Sequence, residues 1–373
     1  MTEYTISAEQ QIAAVTANTA WDAYDADGTQ RIKKATAFQL ATYMQSAAQP
    51  LANFRNMIDG GDFTINPFQR GTSFSAIANT LTYTADRFFA VGGASSSISV
   101  SQQSQTDVVG FTKSLRFGRG AGTDTAVINL GQVIETADAI KAQGQQVTLS
   151  FWAKAGAQFS AANSALTVQV ISGTGSNQSA ANLMAGSWTS QTNVINTTQA
   201  ITATATRYTL TGTVPAGATQ LGVLFAYAPT GTNNTTDTVD FYGVQLEIGS
   251  SASAFEHRDI EVELALAQRY FFQINEPASN VVVGAGMING TNSELIFIPL
   301  PVQMRAAPTV TVSAGSFKFN IAGTPTAVAG FAAGSTHTVN YISVVGTTTA
   351  TSGQGTLLQG GGGAGTIAAS ADF

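Results

Sequence analysis

The sequence of 373 residues contains no cysteine and only two histidines, His257 and His337. Without cysteine it can form neither a disulfide nor a thiolate metal site. It also lacks the spacings of a serine nucleophile elbow, a phosphate-binding loop and a zinc site. Because these catalytic constellations are missing, we expect a protein that is not an enzyme and that requires no cofactor.

Charged residues are scarce as well. Asp, Glu, Lys and Arg make up 10% of the chain, whereas about a quarter is usual in globular proteins. The net charge of −6 argues against a nucleic-acid partner, which requires a basic surface. A monomer of this size normally carries more charge for solubility. The composition therefore suits surfaces that are buried against identical copies, and we predict a homotrimer.

Long apolar stretches are also missing. No run of apolar residues is long enough to span a bilayer. Residues 1–11 lack the basic start and the apolar core of a signal peptide. From these two absences we expect a protein that is made in the cytoplasm and is not inserted into a membrane.

Short strand-like runs, separated by turn residues, are the main feature of the central part of the chain. They alternate apolar and polar residues or are rich in Val, Leu and Thr. The predicted strands are Val147–Ala153, Ala165–Ile171, Arg207–Gly212, Gln220–Tyr227 and Thr238–Glu247. No long helix separates them, which is typical of an antiparallel sandwich or barrel.

The last of these strands leads into a helix. Alternation in the strand predicts Val239 and Gln245 on one face and Asp240 and Leu246 on the other. The turn-like GSSAS sequence follows, and Glu261–Phe271 then has helical spacing without Gly or Pro. We interpret residues 257–272 as a helical joint between two β domains.

A second set of strands is predicted after Gln273, and we assign residues 273–373 to a smaller β tip domain. The predicted strands are Asn280–Val283, Ser293–Pro299, Thr309–Ser313, Ser316–Ile321 and Thr338–Val345. The glycine run Gly360–Gly363 has two interpretations at this point. It could be a flexible tail, or it could allow close chain approach at a trimer axis where no side chain fits.

The first 55 residues have a different composition. Residues 7–49 are rich in Ala and Gln, and they contain a possible capping box at Ser7 and Gln10. A turn is predicted over Asp25–Gly28, and a second helical run over Ala35–Ala47. The pattern Asp25-x-Asp27-Gly28 lacks the other ligands of a calcium loop. We interpret residues 1–55 as a short, partly helical attachment segment.

Several short motifs carry a family resemblance. They are Gly60-Gly61-Asp62-Phe63, Gln69-Arg70-Gly71-Thr72-Ser73, Tyr83 to Phe88, Ser114 to Phe117, Leu149 to Lys154, Val214 to Ala218, Gly243 to Gly249, Phe255 to Arg258, Glu263 to Phe271 and Met304-Arg305-Ala306-Ala307-Pro308. In order and spacing, this set resembles a jelly-roll module of bacteriophage tail-fibre and related virion proteins, which is similar to carbohydrate-binding modules. Phe88 stands where that family commonly has Trp. The resemblance implies an all-β protein in which residues 56–256 form a jelly-roll β-sandwich.

The resemblance also implies a function. It favours a structural and adhesive component of a phage fibre or spike, located in the virion, which binds host cell-surface glycan. Residues 1–55 would contact other virion proteins. One alternative is a purely architectural component without a receptor, such as a head fibre, a decoration protein or a collar protein. A tailspike enzyme that degrades polysaccharide is the third possibility.

Four aromatic residues are candidates for glycan binding. Strand parity places Val147, Leu149 and Phe151 on one face and Trp152 on the polar face. Trp188 follows Ala185-Gly-Ser, a loop composition with no apparent core around it. Tyr227 and Tyr242 lie on predicted strands and could widen a stacking platform. Exposed aromatic rings stack on sugars, but they also fill subunit contacts.

Acidic residues suggest one metal hypothesis and exclude one catalytic arrangement. The family resemblance allows a structural Ca²⁺ near Asp62 and Asp240, and hydrogen bonding to turn amides is the simpler alternative. Glycoside hydrolysis requires two facing carboxyl groups. Parity predicts that Asp240 and Glu247 lie on opposite faces of one strand.

His257 lies between Glu256 and Arg258, which favours ion pairing over catalysis.

Overall fold

The computed structural model describes residues 21–24, 30–35, 55–63, 70–94, 96–119, 124–230, 237–290, 293–313, 315–327, 329–335, 337–347 and 351–373. Contacts divide the chain into two compact units, Met1–Asn53 and Phe54–Phe373. The second unit contains two large hydrophobic cores, one in the central part of the sequence and one near its end. The predicted boundaries at residues 256 and 272 stay predictions.

In the first unit the structure describes two strands, β1 (Trp21–Tyr24) and β2 (Gln30–Ala35). They pair antiparallel, with Trp21 opposite Ala35 and Tyr24 opposite Gln30. Ala35, where the sequence predicted the start of a helix, is therefore the last residue of a strand. The other predicted helical residues and the turn over Asp25–Gly28 lie outside the described residues.

Two six-stranded antiparallel sheets form the larger part of the second unit. We call β12-β9-β14-β7-β6-β3 the front sheet and β11-β10-β13-β8-β5-β4 the back sheet. The strands are β3 (Ser73–Ile77), β4 (Thr82–Tyr83), β5 (Phe89–Val91), β6 (Ile98–Ser104), β7 (Lys113–Arg119), β8 (Ile128–Ile134), β9 (Gln146–Ala155), β10 (Ala165–Gly173), β11 (Thr192–Ala200), β12 (Thr206–Thr213), β13 (Gln220–Tyr227) and β14 (Thr238–Ile248). The chain passes repeatedly between the sheets. The predicted all-β class and jelly-roll sandwich are confirmed.

The core of the sandwich lies between the two sheets. Strand β9 contributes Val147, Leu149, Phe151 and Ala153, all fully buried, as strand parity predicted. The Phe151 ring packs edge-on against Phe225 of the back sheet, with centroids 5.0 Å apart. Each fully buried side chain of this size contributes about 1.5–3 kcal/mol through apolar burial.

A β-bulge in β14 changes which residues face the core. Its pairing with β9 shifts register between Tyr242 and Gln245, and Gly243 within the bulge has a φ of +53°. Phe241 and Leu246 consequently both lie in the core, although strict alternation had placed them on opposite faces. The parity prediction is therefore wrong beyond Gly243, because the bulge inserts one extra residue into the strand.

The same bulge brings Asp240 and Glu247 to one face. With Phe241 and Leu246 in the core, these two carboxylates both lie on the outward face of the front sheet. The prediction that they occupy opposite faces is thus wrong. Each already has partners, because Asp240 pairs with Arg116 at 2.7 Å and Glu247 accepts the amide of Ser253 at 2.8 Å.

A second apolar layer covers the outer side of the back sheet. Two short helices, α1 (Thr136–Ala139) and α2 (Ala180–Met184), lie in the loops that follow β8 and β10. Leu183 of α2 packs with Ile171, Leu224 and Trp188 in a cluster of buried residues. The Ser179 hydroxyl caps α2 by accepting the amide of Asn182 at 3.1 Å.

Helix α3 (Ile260–Gln268) confirms the predicted helix after β14. The Asp259 side chain caps it by accepting the amide of Glu261 at 2.9 Å. Just after α3, Arg269 donates to Glu135 of the sandwich at 2.8 and 3.1 Å. The buried Arg87 guanidinium stacks on the Tyr270 ring, 3.3 Å from its centroid. None of the described helices is long and apolar enough to cross a membrane.

Two further sheets follow α3, with orders β15-β24-β18 and β20-β19-β23-β16-β17-β22-β21. Their strands are β15 (Phe271–Asn275), β16 (Val282–Gly290), β17 (Ser293–Pro299), β18 (Thr309–Ser313), β19 (Lys318–Ile321), β20 (Thr324–Ala327), β21 (Ala329–Ala333), β22 (Tyr341–Thr347), β23 (Gly355–Gln359) and β24 (Thr366–Ser370). One face of the seven-stranded sheet and the three-stranded sheet share a core that includes Ile296, Phe319 and Ile367.

The glycine-rich run packs around a carboxylate. Glu276 accepts the Ser316 amide and hydroxyl at 2.9 and 2.7 Å. It also accepts the amides of Gly361 and Gly365 at 2.8 and 2.9 Å. A Cβ on Gly365 would lie only 2.9 Å from the Glu276 carboxylate. These positions therefore need glycine because the backbone approaches the Glu276 carboxylate closely. Glu276 belongs to the same chain.

Candidate functional site

Trp152 lies on the outward face of the front sheet and is half-buried. Its neighbours in β9, Phe151 and Ala153, face the core, so parity directs the indole outward as predicted. Arg207 of β12 is its partner in the sheet register. The Arg207 guanidinium lies 4.6 Å from the indole centroid.

Three other rings form a cluster that contacts the indole through Phe111. Phe111 lies 5.3 Å from Trp152, centroid to centroid, and it also contacts Phe255 and His257, each at 5.1 Å. The Phe255 and His257 rings are 4.9 Å apart. Phe111 is buried, Phe255 is half-buried and His257 is exposed. We call Phe111, Trp152, Phe255 and His257 the aromatic rim.

His257 takes part in this rim through its ring. The ion pairs next to it are made by Arg258, with Glu256 at 3.5 Å and Glu263 at 3.3 Å. Burial raises the pKa of Glu263 to about 7, and the nearby Arg258 charge opposes that rise. The ion pairing that we expected around His257 is therefore made by Arg258.

Tyr242 lies next to the aromatic rim in the front sheet. It lies beside Trp152 in the register of β14 and β9. It is fully buried, and its hydroxyl donates to Asp107 at 3.1 Å. Lys154 donates to the same Asp107 oxygen at 2.7 Å, and this hydrogen bond lowers the pKa of Asp107. Burial raises the pKa of Tyr242 above its ordinary value, so Tyr242 is a neutral hydrogen-bond donor.

The segment that follows β14 covers part of the outward face. The Ser253 hydroxyl donates to Glu247 at 2.6 Å, and the Glu256 amide donates to Gln245 at 2.8 Å. Arg207 donates to the Ser253 carbonyl and, at 3.1 Å, to the Ser150 hydroxyl. Burial lowers the pKa of Arg207 while the Glu247 charge raises it, and the guanidinium stays cationic.

A row of hydroxyl groups remains uncovered beside this segment. Thr209, Thr211 and Thr213 of β12 are exposed, and they alternate with Tyr208 and Leu210, which pack against the core. We call the three residues the threonine strip. Because β12 is an edge strand paired with β9, the strip lies on the outward face beside the strand that carries Trp152.

The structure places the other predicted aromatic residues away from solvent. Trp188 is 3% exposed, and its indole nitrogen donates to the Ser179 carbonyl at 2.9 Å. The expectation that no core surrounds Trp188 is wrong, because the apolar layer over the back sheet encloses it. Tyr227 is 2% exposed, and its hydroxyl donates to the Asp237 carbonyl at 2.7 Å. Among the four predicted residues, only Trp152 is partly exposed.

The two predicted metal ligands have different surroundings. Asp240 binds the Arg116 guanidinium with both carboxylate oxygens, at 2.7 and 2.8 Å. A guanidinium in this position competes with a cation for both oxygens. Asp62 is 6% exposed. Within the described ranges, no group of three or more His, Asp or Glu side chains is arranged to hold a metal ion. The structural Ca²⁺ stays a prediction.

No protein-family model matches the sequence, and no curated protein matches it. Similar solved structures include one described as "CBM4 structure and function", with 23% identity over 36% of this chain and 71% of that chain, at a TM-score of 0.25. The C-terminal family 22 carbohydrate-binding module of Clostridium thermocellum Xyn10B is 12% identical over 47% of this chain and 98% of that chain, at 0.28. The enzymatically active domain of bacteriophage CBA120 tailspike protein 4 is 14% identical over 52% of this chain and 21% of that chain, at 0.31.

Proposed function

We propose that the front sheet binds a carbohydrate across the aromatic rim and the threonine strip. The observation that carries this proposal is the outward Trp152 ring beside the exposed hydroxyls of β12. The apolar faces of sugar rings stack on indole, while sugar hydroxyls exchange hydrogen bonds with polar side chains. Trp152 would supply the stacking surface, and Thr209 and Thr211 would fix the orientation of the ligand.

The wider role that we propose is adhesion within a phage virion. The protein would act as a homotrimeric fibre or spike component that binds a host surface glycan, with residues 1–55 contacting other virion proteins. The sequence resemblance at Gly60–Phe63 and Leu149–Lys154 supports this role. The low charge content supports self-association.

Binding without catalysis is the activity that the front sheet supports best. Asp107, Asp240 and Glu247 lie near the rim, and each is held by hydrogen bonds within the chain. A purely architectural virion component is the alternative function. A test for glycan binding separates the two.

Binding of the full chain to an array of bacterial surface glycans tests the proposal. We expect Trp152→Ala to weaken binding about two- to twelvefold, since aromatic contacts of this kind contribute ~0.5–1.5 kcal/mol. Thr209→Ala should also weaken it, whereas Thr198→Ala, at an exposed threonine of β11 on the back sheet, should not. If the folded parent binds no glycan, or if Trp152→Ala binds as well as the parent, the front-sheet site is wrong.

A further inference from the structure

Arg207 is a half-buried cation on the outward face of the front sheet, and it has no carboxylate in direct contact. No Asp or Glu in the described part of the chain forms an ion pair with its guanidinium. By contrast, two other cations of the same face are paired. Lys154 contacts Asp107 at 2.7 Å, and Arg116 contacts Asp240 at 2.7 Å. The charge of Arg207 is therefore available to a ligand.

The nearby carboxylate of Glu247 is directed elsewhere. Its charge acts on Arg207 from a distance, but its oxygens accept the side-chain amide of Gln245 at 2.9 Å. They also accept the amide and the hydroxyl of Ser253 at 2.8 and 2.6 Å. Glu247 is only 2% exposed. A ligand on the front sheet would consequently not touch this carboxylate.

The guanidinium of Arg207 has one nitrogen left for a ligand. Its Nη2 donates to the Ser150 hydroxyl at 3.1 Å and to the Ser253 carbonyl. Its Nε is buried without a partner. Its Nη1 is not buried and has no acceptor among the described residues. Because the planar guanidinium is held by two oxygens and by the Trp152 ring, the two N–H groups of Nη1 have a fixed direction.

The place of Arg207 in β12 determines what else a ligand would contact. Arg207, Thr209 and Thr211 are successive outward residues of this strand, and such residues lie about 7 Å apart. This spacing is close to the width of one sugar ring with its substituents. A sugar whose anionic group meets Nη1 would therefore have its ring hydroxyls beside Thr209. A single free nitrogen suits a singly charged carboxylate, whereas phosphate groups are recognised by clusters of arginines.

We infer that the front sheet selects acidic glycans, and that Arg207 binds the carboxylate of a uronic-acid-type sugar through Nη1. The inference deepens the proposed function and rests on it. A hydrogen bond from a guanidinium to a carboxylate is about twice as strong as one between neutral groups. A carboxylated glycan should therefore bind more tightly than the same glycan whose carboxyl groups have been reduced to alcohols.

Matched pairs of glycans test the inference. The full chain is applied to an array of bacterial surface glycans on which each carboxylated glycan is printed beside its carboxyl-reduced form. We expect the parent to bind a carboxylated form at least about tenfold more tightly than its reduced form. Arg207→Gln should bind both forms equally. Lys141→Gln is the control, because it removes the same charge from a 65% exposed residue in the loop after β8, and it should keep the preference of the parent.

The outcomes distinguish the inference from the proposed function. A parent that binds both forms equally would overturn the inference and leave glycan binding by the front sheet intact. A parent that binds no glycan would overturn the proposed function, and the inference with it. Arg207→Gln could also lose affinity for both forms while their ratio stays as in the parent. Arg207 would then act only through Trp152, and the inference would be wrong.

A second variant applies if Arg207→Gln fails to fold. Thr209→Glu adds a carboxylate at an exposed position two residues from Arg207, which a long side chain can span. The new carboxylate should pair with the free nitrogen and repel an acidic ligand. We expect the preference for carboxylated glycans to fall at least about tenfold. The uncharged control Thr209→Gln should keep it. An unchanged preference in Thr209→Glu would contradict the role of Arg207.

Discussion

The Arg207 guanidinium lies over the indole ring of Trp152, with its central carbon 4.6 Å from the ring centroid. Arg207 is itself held by the hydroxyl of Ser150 and the carbonyl of Ser253. Two oxygen acceptors thus hold the cation in place, and the quadrupole of the indole ring attracts its charge. The orientation of Trp152 consequently depends on a residue of a different strand.

Replacing Arg207 should loosen the indole. We expect Arg207→Gln to lower the free energy of unfolding by ~0.5–1 kcal/mol and to weaken glycan binding, because Trp152 loses its fixed orientation. Urea unfolding measures the first effect, the glycan array measures the second, and near-ultraviolet circular dichroism reports the orientation of the indole. In a Trp152→Phe background the dichroism change should disappear. If it persists, Arg207 does not act through Trp152.

Trp188 should behave as a core residue. We expect Trp188→Ala to lower the free energy of unfolding by about 3–5 kcal/mol, the range for a large buried aromatic. Trp152→Ala is the matched comparison. It should lower the free energy of unfolding much less than Trp188→Ala does, and it should weaken glycan binding more. Equal stability losses in the two variants would contradict the buried position of Trp188.

A substitution at Gly243 tests how closely the bulge approaches the aromatic rim. A Cβ at Gly243 would lie 2.5 Å from the Phe111 ring and 3.0 Å from the Trp152 ring. We expect Gly243→Ala to lower the free energy of unfolding by about 2–4 kcal/mol, through left-handed strain plus displacement of Phe111. Gly186 also has a positive φ but has open space around it. Gly186→Ala should show the strain alone, ~1–2 kcal/mol. Equal losses of unfolding free energy for Gly243→Ala and Gly186→Ala would show that a Cβ at Gly243 does not crowd the Phe111 ring.

Glu276 should make stability depend on acid pH. Burial acts to raise the pKa of Glu276, but hydrogen bonds from Ser316, Gly365 and Gly361 outweigh it and lower the pKa to about 2. An unfolded glutamate has a pKa near ~4.3. The carboxylate therefore stabilises the folded state above that pH, and this contribution is lost as pH falls towards 2.

Glu276→Gln should accordingly be less stable than the parent at pH 7, and the difference should shrink between pH 5 and pH 2. Thermal unfolding across that range measures it. Asp138→Asn serves as the control, because Asp138 is 52% exposed in its pair with Lys141. A constant difference between Glu276→Gln and the parent at all these pH values would show that the ionised carboxylate is not the stabilising species.

The sequence allowed the core faces of regular strands to be predicted, but not the irregular positions. Parity correctly directed Phe151 inward and Trp152 outward because β9 alternates without interruption. It failed after Gly243, since one inserted residue reverses every later position. Trp188 has a loop composition because it belongs to a loop, and only tertiary packing shows that this loop covers the back sheet.

The aromatic rim itself was only partly predictable. Phe255 and His257 are two residues apart in the segment between β14 and α3, and this spacing was an available signal. Arg207 reaches Trp152 through the register of β12 and β9, and Phe111 reaches it from the loop before β7, so both depend on the tertiary fold. A rim assembled from separate segments has no local sequence pattern.

Strand β24 has a consequence for how the protein folds. It lies between β15 and β18, and its pairing of Ser370 with Phe271 closes a loop of about 100 residues, a non-local step that slows folding. Until residues 366–370 have been synthesised, β15 and β18 have no central strand, and their open edges can pair with other chains. Translation that stops before Thr366 should therefore release chains whose β15 and β18 edges are unpaired, and these chains should aggregate.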